Sequence, residues 1–77
     1  MSVRVEDEAI RLSGRCLAED AETLLVALQE APGRTVDLQG AQRLHLAVVQ
    51  VLLAARPPIQ GIPEGDFAAR HLVNLLQ

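Results

Sequence analysis

The amino-acid sequence predicts a small α/β domain, a mixed four-stranded sheet with three helices packed mainly on one face, in the order β-β-α-β-α-β-α. Three observations carry this. The apolar pattern switches repeatedly between a period of two and a helical period. Gly and Pro stand where it switches, as at Pro32-Gly33 and Pro57-Pro58. Strands alternating with helices imply partly parallel pairing with the helices laid on the sheet. At 77 residues the chain is read as one domain, residues 1–77, near the lower limit for independent folding.

Each element follows from local pattern. Val3 and Val5 alternate with Ser2 and Arg4, as in a half-buried strand. Glu6, Asp7 and Glu8 make a charged turn, after which Ile10 and Leu12 alternate with Arg11 and Ser13 up to Gly14, completing a hairpin. AEDAETLLVALQEAPG then takes a helical period, with Asp20 as N-cap and Ala21, Leu24, Leu25 and Leu28 on one face. Thr35 to Leu38 form a short central strand. A second helix runs from Leu46 until Arg56-Pro57-Pro58 ends it. Ile59 to Ile62 supply an edge strand, and PEGDFAARHLVNLLQ a third helix with Asp66 as N-cap and Ala68, Leu72, Leu75 and Leu76 inward.

The second helix is the most informative element, because only Gln50 in it is polar. At 100° per residue, Leu46, Val49 and Leu53 fall on one side with Leu52 at its margin, and these large side chains suit the sheet. Ala47, Val48, Val51 and Ala55 fall opposite, where a solvated helix would carry charge. Either flanking helices cover that smooth strip, or a partner or a second copy does. The pattern favours a contact surface.

Composition excludes several functions. Phe67 is the only aromatic residue, so stacking on bases or sugars is not expected. The net charge is −3 and the seven basic residues, all Arg, are scattered along the chain, which argues against nucleic acid. One cysteine, Cys16, and two histidines make a poor metal set, so no metal and no cofactor are expected. MSVRVEDE turns acidic by residue 6, unlike a secretory leader. The apolar run at 46–55 is about half a membrane span, so a cytoplasmic protein without direct membrane insertion is expected.

Two residues invite chemistry. His45, before the second helix, carries an imidazole, a group that can serve as phospho-acceptor or in acid–base work. No Ser, Thr, Cys, Asp or Glu lies within seven residues of it, which favours a surface or capping role. Asp37 ends the third strand, where α/β proteins place catalytic groups; equally, Asp there accepts amide hydrogen bonds and fixes a turn. Gly40 would let the following loop adopt positive φ. His71 on the last helix is read as structural.

The layout from residue 3 to 76, and above all VDLQGAQRLHLAVVQVLL, resembles the STAS domain of anti-sigma factor antagonists. In that family a strand ends in a pattern like Asp-Leu-Ser-Gly. Four residues later Asp-Ser-Ser/Thr-Gly-Leu opens a Leu-rich helix. Here Asp37-Leu38-Gln39-Gly40 matches the first part, Ala41 to Leu44 span the gap, and His45-Leu46-Ala47-Val48-Val49 stand at the second. SGRCLAEDAETLLVALQEA resembles the family's second strand and first helix, and IQGIPEGDFAARHLVNLL its later strand and helix.

The resemblance implies a non-catalytic protein–protein interaction module of bacterial signal transduction. Its contact residues would be Gln39, Gly40, His45, Ala47, Val48, Val51 and Ala55. The partner would be an anti-sigma kinase, a phosphatase, a sensor or a chemotaxis component, or the chain would form a homodimer. Family members are switched by phosphorylating a Ser or Thr. Ala47 occupies that position, and the hydroxyl residues Ser2, Ser13, Thr23 and Thr35 all lie elsewhere, so the switch is expected to be missing. A variant of this reading is the small STAS subunit of a lipid-transport ABC system. A reading of another class is a phosphorelay element or small enzyme using His45 and Asp37.

Overall fold

The computed structural model describes residues 2–61 and residue 71. Its elements are β1 (Val3–Val5), β2 (Ala9–Cys16), α1 (Ala18–Glu30), β3 (Thr35–Leu44), α2 (Leu46–Ala55) and β4 (Ile59–Gln60). They form one sheet in the order β1-β2-β3-β4, antiparallel between β1 and β2 and parallel thereafter. The mixed α/β architecture is as the sequence predicts, with two helices among the described residues. The expected third helix, with Asp66, Ala68, Leu72, Leu75 and Leu76, lies outside them, as does Ile62; His71 is described and exposed.

The hairpin closes where Glu6 N–H donates to the Ala9 carbonyl at 2.8 Å. Register then sorts the residues by face. Val5, Ile10, Val36 and Ile59 make one row across the sheet, and Arg4, Arg11, Asp37 and Gln60 make the next. Side chains of successive residues point to opposite faces, so the first row lies on the helix side, where Ile10 and Val36 are buried and Val5 at the edge is exposed, and the second lies on the other face. Two successive β-α-β crossovers proceeding in the same direction place α1 and α2 side by side on that core face, and the two helices are in contact. The core is aliphatic: Ile10, Leu12, Leu24, Val36, Leu38, Ala41, Val48 and Leu52 are nearly or fully excluded from water.

α1 starts three residues before the expected Asp20 cap. Leu17 is the N-cap and has no side-chain acceptor; the Asp20 carboxylate reaches back from the first turn to accept the Leu17 N–H at 2.7 Å. An acid there also suits the positive end of the helix dipole. The earlier start rolls the helix, burying Ala21, Leu24, Ala27 and Leu28, while Leu25 faces out.

β3 differs most from expectation, running through Gln39, Gly40 and the stretch read as loop, to Leu44. Arg11 pairs with Asp37 and Ser13 with Gly40, then Gly14 with Ala41 and Arg15 with Arg43. β3 thus carries an extra residue twice against β2, two bulges that break its alternation into the apolar spacing Leu38, Ala41, Leu44. That spacing of three does not read as a strand, which is why the sequence alone suggests a loop. Gly40 consequently has no positive φ; among the described residues the left-handed glycines are Gly14 (φ +63°), beside the second bulge on β2, and Gly61 (φ +80°).

Candidate functional site

β3 delivers the chain to α2 through a short, well-defined junction. His45 N–H donates to the Cys16 carbonyl at 2.9 Å, fastening the end of β3 to the end of β2. The His45 backbone is extended, and its Nδ1 accepts the Ala47 N–H at 3.0 Å, so His45 is the N-cap of α2. Neutral imidazole has one donor and one acceptor nitrogen; with Nδ1 accepting, the ring proton sits on Nε2. At the far end Arg56 adopts the left-handed conformation (φ 47°) and its N–H closes on the Leu52 carbonyl at 2.8 Å.

The capping geometry sets the roll of α2, and the roll differs from expectation. Val48, Val49 and Leu52 face the core, with Val48 0% exposed, and Ala47 and Val51 pack partly against it. Val48 therefore cannot belong to a contact surface, and Ala47 and Val51 can offer only an edge. Of the expected strip only Ala55 is exposed. Leu46 and Leu53, expected inside, are 63% and 37% exposed, on the same side as Gln50 and Ala54. A size rule, large residues inward, misassigned the faces because every α2 residue except Gln50 is apolar and β-branched Val packs well on a sheet. The usable signal was Gln50, whose helical neighbours at i−4 and i+3 are Leu46 and Leu53.

Gln39 and Gly40 are exposed, but on the strand and not on a loop. Asp37 sits in the sheet, 6% exposed, with its carboxylate accepting from the Arg11 guanidinium and from the Gln39 N–H at 2.9 Å. The second bond satisfies an amide that the first bulge removes from the ladder. Arg11 also pairs with Glu6 at 2.6 Å; that hydrogen bond and then the Glu6 charge raise the Arg11 pKa against an opposing effect of burial, with Asp37 contributing least. Asp37 is thereby committed to structure. It stands eight residues before His45, with about 25 Å of strand between them. Those two residues do not share a site.

Cys16 is buried at the end of β2, where burial first and the Asp20 charge second push its thiol up to about 11. At neutral pH it is an inert apolar side chain. Among the described residues no group of three or more His, Cys, Asp or Glu side chains could hold a metal, and no helix is long and apolar enough to cross a membrane. The arginines are less scattered in space than in sequence, since the strand register sets Arg15 directly opposite Arg43. In comparisons with known proteins, no family model, no curated protein and no solved structure matches this chain.

Proposed function

We propose that this chain is a non-catalytic protein–protein interaction module of the STAS, anti-sigma factor antagonist-like kind, which engages a regulatory protein through the outer face of α2. One observation carries the reading. From Leu46 to Ala55 the helix bears no charged residue, and its solvent side exposes Leu46 and Leu53 around Gln50. A helix of a small acidic protein would ordinarily carry charge there. Covering both leucines is worth roughly 1–2 kcal/mol each, since each is already partly buried. That is enough to anchor a modest interface once the polar rim is satisfied.

The element order through β4 agrees with the layout that the resemblance implies. At the position where the family carries its phosphorylatable hydroxyl stands Ala47, half-buried against the core. The module binds without that switch, by surface complementarity, and its regulation lies with the partner. The separation of Asp37 and His45, and the engagement of both Asp37 carboxylate oxygens, support a non-catalytic reading over one that uses this pair.

The reading is tested with L46E and L53E variants titrated calorimetrically against candidate regulatory proteins, an anti-sigma kinase first. Each substitution should weaken binding about tenfold or more, the equivalent of one lost apolar anchor. The helical circular dichroism should be unchanged. Unaltered affinity with both leucines replaced would overturn the assignment of this face.

A further inference from the structure

We propose that the chain holds a phosphate monoester in the cavity at the carboxyl ends of β2 and β3, between the guanidinium groups of Arg15 and Arg43. The cavity has a volume of about 320 Å³ and is lined by Arg15, Cys16, Leu17, Arg43, Leu44 and His45. This goes beyond the α2 docking face and uses different side chains.

The argument starts from an uncompensated cost. Arg15 and Arg43 are cross-strand partners, and like charges directly opposite each other in a sheet are destabilising. The same problem arises at the other end of β2, where Arg4 stands opposite Arg11, and there Glu6 and Asp37 pair with Arg11. Arg15 and Arg43 have no such acid among the described residues. Among the described residues every charged side chain lining the cavity is basic, in a chain whose net charge is −3. Asp20, the carboxylate whose charge reaches Cys16, accepts the Leu17 N–H and does not line the cavity.

The chemistry of the lining selects the ligand. Two planar guanidinium forks can each make a bidentate contact, and together they ask for more than the two oxygens of one carboxylate. A phosphate monoester has three free oxygens. His45 adds a donor, because capping α2 with Nδ1 leaves the proton on Nε2. Leu17, Leu44 and Cys16 make the remaining wall apolar, which suits an organic substituent on the phosphate.

The test is a titration of the full chain with inorganic phosphate and with phenyl phosphate, followed by amide NMR at constant ionic strength. Saturable shifts should appear at Arg15 to Leu17 and Arg43 to His45, with phenyl phosphate binding more tightly than inorganic phosphate. R15Q or R43E should weaken binding about tenfold or more while the rest of the amide spectrum is retained; R34Q should leave binding unchanged. No saturable shift at those amides, or equal losses in R34Q and R43E, would overturn the site. Equal affinity for the two phosphates would overturn the organic substituent.

Discussion

Asp37 shows how one side chain can look functional in a sequence and prove structural in the fold. Its carboxylate is almost excluded from water, and both oxygens are used, one by Arg11 and one by the Gln39 N–H. The two partners are not equivalent. Arg11 is half exposed and keeps Glu6 if Asp37 is changed. Asp37 keeps no countercharge if Arg11 is changed, and stranding a buried charge costs more than removing it. D37N should therefore lower stability by about 1 kcal/mol. R11A should lower it further, and urea unfolding at neutral pH would rank the two. The reverse order would mean that the pair is dispensable and that Asp37 is held by the backbone alone. Asp as a hydrogen-bond acceptor was legible in the sequence. Its pairing with a residue 26 positions earlier was not, because only strand register brings them together.

At the scale of elements, strand and helix existence was readable and their faces were not. β1, β2, α1, α2 and β4 all stand close to where the periodicity places them, but β3 is more than twice its expected length and both helices are rolled. The bulges of β3 explain the first discrepancy. For α2, an almost wholly apolar sequence leaves Gln50 as its single mark of an outer face, and the attachment at His45 sets the roll. The edge depends on a different contact. Gly61 follows β4 with φ +80°, and a Cβ there would lie 2.8 Å from both the Cβ and the N of Gln39. G61A combines left-handed strain with overlap against a backbone atom, and should cost about 2 kcal/mol or more. G14A, strained in φ but facing open space, should cost about 1 kcal/mol. Hydrogen exchange at the Val36 amide, which donates to the Pro58 carbonyl at the start of the β3–β4 pairing, should accelerate in G61A and not in G14A.

At the scale of the whole molecule, composition makes one titration visible. The chain has no Lys and no Tyr, so Cys16 is the one side chain that titrates between neutral and strongly alkaline pH. Its folded thiol holds its proton up to about 11, against an ordinary value of 9.0 for the unfolded chain. The stabilisation is therefore complete below pH 9 and is lost as the pH rises toward 11, because the unfolded state ionises first. Urea unfolding across that range should show falling stability in the native sequence and a flat profile in C16A. A slope that survives in C16A would place the alkaline sensitivity elsewhere.

The sequence by itself determined the α/β class, the chain order of the elements through β4, the aliphatic core and the unusual apolarity of α2. These follow from local periodicity, turn residues and composition, each read within a few neighbouring positions. Tertiary structure alone decided that Val48 belongs to the core, that Asp37 serves the sheet, and that Arg15 faces Arg43. The last two depend on register between strands distant in the chain, and the first on the cap at His45. A bulge shifts register by one residue, and the shift redirects every side chain beyond it.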